Sequence, residues 1–179
     1  MNEHFKTQLI DWLKTILYSA LLFFGMRVAV VEAYHVPTGS MRPTILEGDR
    51  ILGTKFHYWF WAPKAGDVVV FKSPERAREL SSHPSSTRLV KRVVATEGDT
   101  VEVTGGTVLV NGRVRDEPFI QAPPNYELRP IRVPKGHVFV LGDNRNNSLD
   151  GHVWGFLEKD ALIARAWVRY WPPTRLGAL

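Results

Sequence analysis

Apolar positions follow one pattern near the N-terminus and another in the rest of the chain. Residues 16–26 read ILYSALLFFGM without a charge, and after Arg27 the sequence continues VAVV. Sixteen helical residues rise about 24 Å, slightly less than a hydrocarbon core of about 30 Å. We therefore predict one N-terminal transmembrane helix, with Lys14 and Arg27 reaching toward the two interfaces.

The same segment fits two other structures. Lys6 precedes the apolar run and residues 31–33 loosely imitate a cleavage site, as in a cleavable secretory signal. A buried helix of a soluble domain is the other alternative. Lys6 and Lys14 favour a cytoplasmic N-terminus. We expect residues 1–31 to form an uncleaved anchor in the cell membrane, with residues 32–179 on the extracytoplasmic side.

From residue 45 to 170 no helix-length amphipathic pattern dominates, and short β-branched runs alternate with Gly, Pro, Asn and Asp. Such spacing is typical of strands joined by turns. Strands are predicted at residues 50–55, 67–72, 88–96, 100–103, 107–110, 136–141 and 161–171. The fold class is therefore mainly β, with an antiparallel β core.

Turn-forming residues divide this β-rich region further. Gly105-Gly106 between two valine-rich runs indicates a β-hairpin, which we place in a small insertion at about residues 100–134. Residues 73–87 are rich in Ser, Arg and Glu and predict a long exposed loop. Residues 117–130 hold four prolines and predict a second connector.

Composition limits the function classes. The 179 residues suit about one domain, and 44% hydrophobic with 23% charged residues is ordinary for a folded chain. The net charge of +5 comes without an aromatic-interleaved basic stripe or a phosphate-binding loop, so we expect no nucleic-acid partner. The chain has no cysteine and no metal-ligand spacing of histidines, so neither metal nor cofactor is predicted. A monomer is favoured.

Two short strings supply a possible nucleophile and base. Ser40 lies in the turn sequence PTGSMRPT, and Lys91 lies 51 residues later in the β-branched run RLVKRVV. Alone, Ser40 suits an ordinary turn and Lys91 an edge-strand charge. A lysine acts as a base only where burial lowers its pKa from about 10.4, so the chemistry requires Lys91 in an apolar pocket.

A second mechanism is open from the loop after the strand at 136–141. Ser148, Asp150 and His152 bring a hydroxyl, a carboxylate and an imidazole to one connection. These groups permit a Ser-His-Asp triad, with His152 as base and Asp150 or Asp143 as the residue that orients it.

Several ordered segments together resemble the type I signal peptidases, the membrane-bound serine proteases that remove signal peptides from exported proteins. The resemblance covers residues 37–44, 48–55, 91–99 and 142–156, behind an apolar N-terminal segment. It implies a Ser-Lys dyad in an antiparallel β core. It also implies signal-peptide-bearing preproteins as substrates, cleavage after an Ala-x-Ala-like site, and the lipid bilayer as a partner.

The resemblance assigns roles to individual residues. It implies Ser40 as the nucleophile and Lys91 as the general base. It implies the Thr38 hydroxyl with the Ser40 N–H as the oxyanion hole, and Ser148 as the hydroxyl that orients Lys91. We expect four further residues to structure the loop: Asp143, Asn144, Arg145 and Asp150.

Three positions depart from the common family pattern. Thr38 stands where many members have Ser, which preserves a hydroxyl donor. Asn146 replaces a common Asp, and Gly151-His152 replaces a common Ser-Arg, so an ion pair that often braces this loop is lost. Histidine at position 152 is similar to the cyanobacterial and chloroplast-thylakoid branch.

An aromatic cluster follows the predicted strand at 50–55. Residues 57–61 read HYWFW. A core or hairpin cluster is one interpretation, but Trp and Tyr favour the headgroup zone of bilayers. We predict Trp59 and Trp61 as membrane contacts.

Two other function classes remain open from sequence. A Ser-Lys protease of the self-cleaving SOS-repressor group would share the dyad, but no DNA-binding helix pair precedes the core here. A noncatalytic, membrane-tethered β-domain that binds exported chains would need neither Ser40 nor Lys91 for its activity.

Overall fold

The computed structural model describes residues 3–81 and 87–179 and consists mainly of two antiparallel sheets. The larger sheet has eight strands in the order β1-β2-β11-β3-β4-β9-β10, with β12 paired to β11. Its strands are β1 Val31–His35, β2 Arg50–Thr54, β3 Val68–Lys72, β4 Arg88–Thr96, β9 His137–Leu141, β10 Leu157–Glu158, β11 Leu162–Trp171 and β12 Gly177–Ala178. The predicted mainly β antiparallel fold is confirmed.

The second sheet has four strands in the order β7-β6-β5-β8. They are β5 Thr100–Thr104, β6 Thr107–Val110, β7 Arg113–Val114 and β8 Leu128–Arg132. The predicted hairpin forms, since Val103 pairs with Val108 and Thr104 with Thr107 around Gly105 and Gly106. Both glycines have positive φ, at 55° and 74°, a region that glycine adopts without steric cost. Sequence patterns miss strand β8 because Pro130 and two arginines mask its β character.

The described residues also form four α-helices and three short 3-10 helices. The α-helices are α1 Glu3–Val30, α2 His57–Phe60, α3 Glu75–Glu79 and α4 Gly151–Trp154. The loop predicted at 73–87 is wrong in its first part, where α3 forms and buries Ala77. Glu, Arg and Ala are good helix formers, and Pro74 stands at the N-cap position, so the polar composition conceals a helical turn. Residues 82–86 of that prediction lie outside the described residues.

The N-terminal helix corrects part of the fold prediction. Helix α1 is present, but within residues 3–81 and 87–179 no helix is both long and apolar enough to cross a membrane. Lys14 and Arg27 confine the uncharged run to residues 15–26, fewer than the roughly 20 that a span usually needs. The predicted transmembrane helix is therefore not confirmed.

Strand β4 places charged side chains inside the domain. It lies between β3 and β9, and its residues from Lys91 to Ala95 are all buried. Neighbouring residues of a strand point to opposite faces. Val93 packs into the apolar cluster with Val69 and Phe71, whereas Val94 packs into the cluster with Phe139. With both faces covered, Lys91 and Arg92 are each buried, on opposite sides of one strand.

Candidate active site

A cleft with a volume of about 380 Å³ lies between the end of β1, the Ser40 turn, the start of β4 and helix α3. Tyr34 and Val36 line it from the N-terminal side, and Leu89 and Ala77 line it from the other elements. Ser40, Lys91 and Thr38 all contribute to its wall. The cleft therefore brings Thr38 and Ser40 together with Lys91, which lies 51 positions after Ser40.

The Ser40 turn is held from two sides. Gly39–Met41 form a short 3-10 turn whose last residue, Met41, is fully buried in the core. The Asn144 backbone N–H donates to the Ser40 carbonyl over 3.0 Å, and Asn144 Nδ2 donates to the Gly39 carbonyl over 3.1 Å. Asn144 thus joins the loop after β9 to the Ser40 turn, and its role in structuring the loop stays a prediction.

Close contacts beside this turn require a glycine at position 39. A Cβ at that position would lie 2.6 Å from Glu47 Oε1 and 2.9 Å from Arg42 Nε. Arg42 Nε also donates to Glu47 Oε2 over 2.8 Å, so this ion pair sits over the turn. Only a residue without a side chain fits there unless the pair moves.

The predicted amine and hydroxyl meet directly. Lys91 is 3% exposed, and its Nζ donates a hydrogen bond to Ser40 Oγ over 2.5 Å. Burial lowers the pKa of Lys91 from 10.5 to about 8, while the charges of Asp150 and Asp143 raise it. The requirement drawn from sequence, a lysine in an apolar environment next to the hydroxyl, is thus met by the geometry.

Thr38 lies on the rim of the same cleft. Its backbone is extended, with φ of −128° and ψ of 152°, and it precedes the 3-10 turn directly. The residue is exposed and lines the cleft two positions before Ser40. Its role as an oxyanion donor stays a prediction.

Ser148 and the Ser40 turn both pack against Gly142. A Cβ on Gly142 would overlap both the Ser148 side chain and the Ser40 carbonyl oxygen, so all three residues pack closely together. Ser148 Oγ is buried and has no hydrogen-bond partner among the described residues. The structure therefore brings Ser148 next to the Ser40 turn without a hydrogen bond to Lys91, and its orienting role stays a prediction.

A buried ion pair lies on the face of β4 opposite Lys91. Arg92 Nε donates to Asp143 Oδ1 over 2.9 Å, and an Arg92 terminal nitrogen donates to Oδ2 over 2.7 Å. Thr44 Oγ1 also donates to Asp143, over 2.6 Å, and the Arg92 guanidinium lies 4.0 Å from the centre of the Phe119 ring. Sequence reasoning missed Arg92, although its place next to Lys91 in a β-branched run was a usable signal.

Arg145 fixes the loop from the opposite end. Its side chain is buried, and its terminal nitrogens donate to the two Glu117 oxygens over 2.5 and 2.9 Å. Arg145 Nε donates to the Gly142 carbonyl over 3.0 Å. Asn146 Nδ2 donates to the Pro123 carbonyl over 2.9 Å. The segment between β7 and β8 thus braces the loop through Glu117 and Pro123.

The alternative triad does not assemble. His152 Nδ1 lies 2.7 Å from Asp150 Oδ1, but Ser148 Oγ has no hydrogen-bond partner among the described residues and Ser40 Oγ accepts from Lys91. His152 and Asp150 therefore pair with each other, but neither Ser148 nor Ser40 donates its hydroxyl to His152. Asp150 instead caps α4, accepting from the His152 backbone N–H over 3.2 Å.

The predicted membrane contacts lie on an exposed aromatic surface at helix α2. Trp59 is 71% exposed and Trp61 is 53% exposed, and Phe60 between them is also exposed. The Trp61 ring stacks on the His57 ring, with 5.3 Å between centroids. Trp59, Phe60 and Trp61 therefore form a solvent-facing patch, whereas Tyr58 packs against the core.

A hydroxyl next to a buried amine, at the wall of a cleft in a β domain, is an arrangement typical of a serine hydrolase. A family model described as signal peptidase, peptidase S26, matches residues 9–171. Signal peptidase I of Leptolyngbya laminosa is 44% identical over 96% of this chain and 84% of that protein. The chain belongs to the signal peptidase family, whose members are serine endopeptidases.

Two further relatives show the same similarity. Probable signal peptidase I-2 of Synechocystis sp. is 42% identical over 93% of this chain and 75% of that protein. Thylakoidal processing peptidase 1 of Arabidopsis thaliana is 44% identical over 84% of this chain and 45% of its own length. These matches support a signal peptidase role, with signal-peptide-bearing proteins as substrates.

Proposed function

We propose that the chain cleaves preproteins with a Ser-Lys dyad in which Ser40 is the nucleophile and Lys91 the general base. The observation that carries this proposal is the 2.5 Å hydrogen bond between Lys91 Nζ and Ser40 Oγ inside the cleft. A buried amine with a pKa of about 8 is partly neutral near pH 7 and mostly neutral above pH 8. Its lone pair is then available to accept the serine proton.

The reaction follows in two stages. Neutral Lys91 takes the Ser40 Oγ proton as Oγ bonds to the scissile carbonyl carbon, and the resulting ammonium gives that proton to the leaving amine. The signal segment is then held as an ester on Ser40. Lys91, neutral again, deprotonates a water that attacks the ester carbonyl, and the same proton returns to Ser40 Oγ as the acid is released.

The developing oxyanion needs donors fixed in place. We assign this role to the Thr38 hydroxyl and the Ser40 N–H, because both residues line the cleft and Thr38 directly precedes the turn that contains Ser40. Asn144 holds the carbonyl side of that turn through two hydrogen bonds. Donors held by the fold need no reorganisation when negative charge forms on the substrate oxygen.

The shape of the cleft favours small side chains at the cleavage site. Tyr34 and Met41 are buried in its wall, and Ala77 of α3, which is also buried, lines the same cleft. We expect recognition of an Ala-x-Ala-like sequence, in which the first and last positions face the protein and the middle one faces solvent. Alternation of side chains along an extended substrate gives this pattern.

The substrate preference predicts a defined cut. A preprotein with Ala-x-Ala before its mature region should be cleaved once, after the second Ala, as read by mass spectrometry. Replacing that Ala with Phe is expected to lower kcat/KM about a hundredfold or more, because the larger ring does not fit a packed wall. Phe at the middle position is the matched control and should change kcat/KM less than about threefold. Equal losses at both positions would contradict the proposed recognition.

Attachment to a bilayer is the second part of this proposal. Helix α1 carries eleven large apolar side chains that are 46–69% exposed, from Leu9 to Phe24. Exposed apolar surface of this extent is typical of membrane or protein contacts. We propose residues 1–31 as the membrane attachment, and residues 32–179, with an insertion at about 100–134, as the extracytoplasmic peptidase domain.

The exposed aromatic cluster provides a test of the proposed attachment to a bilayer. We expect Trp59 and Trp61 to enter the headgroup zone when the enzyme is attached. Because the chain has no cysteine, a Phe60→Cys variant carries one fluorophore at a known place. In vesicles, brominated lipids should quench that fluorophore at least about twofold more than one at Val114→Cys, a position on the small sheet that is similarly exposed.

Two replacements in the same Phe60→Cys chain complete that experiment. Trp59→Ser and Trp61→Ser together should remove most of the quenching, because Ser has no affinity for the interface. Quenching equal to that at Val114→Cys, or unchanged by the two replacements, would contradict the membrane role of the cluster.

A further inference from the structure

His152 is held between two side chains that come from different parts of the fold. Its ring stacks on the Tyr126 ring, with 4.0 Å between centroids and 13° between planes. Its Nδ1 lies 2.7 Å from Asp150 Oδ1. A carboxylate oxygen only accepts, so Nδ1 carries the proton and donates to Asp150. Both interactions fix the ring, although His152 does not line the substrate cleft.

Asp150 connects this ring to the dyad. The carboxylate is fully buried, and its Oδ2 accepts from the Gly142 backbone N–H over 2.8 Å. Gly142 in turn packs directly against both the Ser40 carbonyl oxygen and the Ser148 side chain. A short series of packed groups therefore leads from His152 through Asp150 and Gly142 to the nucleophile turn.

The charges around Lys91 are neutralised unequally. Asp143 and Asp150 both favour the charged form of Lys91, which opposes its use as a base. Asp143 is paired with Arg92, a permanent cation, through two hydrogen bonds. Asp150 has only the His152 ring and two backbone N–H groups among the described residues. The charge of Asp150 acts on Lys91 and on Tyr126. Arg145 and Glu117 also act on Tyr126, and these two residues are paired with each other.

We propose that His152 is a positioning residue for the base: it holds Asp150 against Gly142 and shares the carboxylate charge, so that Lys91 gives up its proton at a lower pH. This inference rests on the proposed Ser-Lys mechanism. The His152 imidazole would offset the Asp150 charge, as the Arg92 guanidinium offsets the charge of Asp143. Without the Nδ1 hydrogen bond, more of the Asp150 charge acts on Lys91, which favours the protonated amine.

Replacing His152 with Asn or with Gln gives a matched pair of test variants. In His152→Asn the amide nitrogen takes the place of Nδ1 and still reaches Asp150, whereas in His152→Gln it takes the place of Nε2 and does not. Both remove the imidazole, and Gln keeps the bulk that packs on Tyr126. His137→Gln serves as the control, because the Nδ1 of that ring pairs with the Lys135 carbonyl, away from the dyad.

The readout is the pH dependence of kcat/KM for peptide cleavage by the purified full chain, with KM and the melting temperature measured alongside. For His152→Gln we expect the rising limb to move to higher pH by about half a unit to one unit. This shift corresponds to a loss of about threefold to tenfold at pH 7 that disappears at about pH 10. KM should stay unchanged, and His152→Asn and His137→Gln should keep the wild-type limb.

Two results would overturn the inference: a His152→Gln limb that coincides with the wild type, or an equal shift in His152→Asn. A lower melting temperature without movement of the limb would show a purely structural role and would also overturn it. Lys91→Met, measured in parallel, distinguishes a failure of this inference from a failure of the proposed Ser-Lys mechanism. Full activity in that variant would refute the Ser-Lys mechanism itself, whatever the His152 variants show.

Discussion

Ser40→Ala and Lys91→Met are each expected to lower kcat/KM for preprotein cleavage by about a thousandfold or more, the scale seen when one member of a catalytic unit is removed. Ala provides no nucleophile. Met keeps the volume of the buried chain but has no lone pair of suitable basicity, so Ser40 Oγ keeps its proton. Because both residues act in one step, the double variant should be no slower than either single one.

The controls for this prediction use groups of the same chemical type. Lys135→Met removes an exposed lysine from the turn before β9 and should keep wild-type activity. Ser148→Ala removes the neighbouring hydroxyl, so its activity measures the contribution of that hydroxyl apart from that of the dyad. Activity retained in Lys91→Met and lost in a variant at His152 would favour the triad alternative and contradict the dyad.

Asp143→Ala is expected to lower the free energy of unfolding by about 3–5 kcal/mol, the typical cost of leaving one partner of a buried ion pair alone. Arg92 is 7% exposed and would lose two hydrogen bonds to the carboxylate, while the Thr44 hydroxyl would lose its acceptor. Because solvent barely reaches this interior, it would restore little of what is lost. Urea unfolding followed by tryptophan fluorescence measures the change.

Two comparisons make this stability prediction specific. The double variant Arg92→Met with Asp143→Leu removes both charges and should recover most of the loss. Lys159→Met breaks the exposed pair with Glu97, whose atoms are 2.8 Å apart, and should cost about 0–1 kcal/mol. A loss in Asp143→Ala no greater than that in Lys159→Met would show that the buried pair does not stabilise the fold.

Much of the fold can be predicted from sequence because its signals are local. The run RLVKRVV is β-branched and becomes the central strand β4, and Gly105-Gly106 turns the hairpin of the small sheet. The requirement for a buried lysine also follows from chemistry alone, because an exposed amine is protonated at neutral pH. What buries Lys91, however, is the covering of both faces of β4, which no local pattern shows.

Other features depend on interactions between distant residues. The pairing of Arg92 with Asp143 spans 51 positions, and the stack of Tyr126 on His152 joins two connectors whose sequences look irregular. Helix α3 escapes sequence prediction because one buried alanine among charged residues leaves almost no periodic signal. The N-terminal segment shows the reverse case. Its helical pattern is plain in the sequence, but the charged residues around a short apolar run keep the helix from qualifying as a membrane span.

The protonation of Lys91 is the point on which the catalytic account depends. The most direct measurement is an NMR titration of the full-length enzyme with ¹³C at lysine Cε, in which the Lys91 signal is assigned by its loss in Lys91→Met. We predict a pKa of about 8 from the midpoint of this signal, with the cleavage rate rising over the same pH range. A midpoint near 10.5, the ordinary value for an exposed lysine, would contradict a neutral amine as the base.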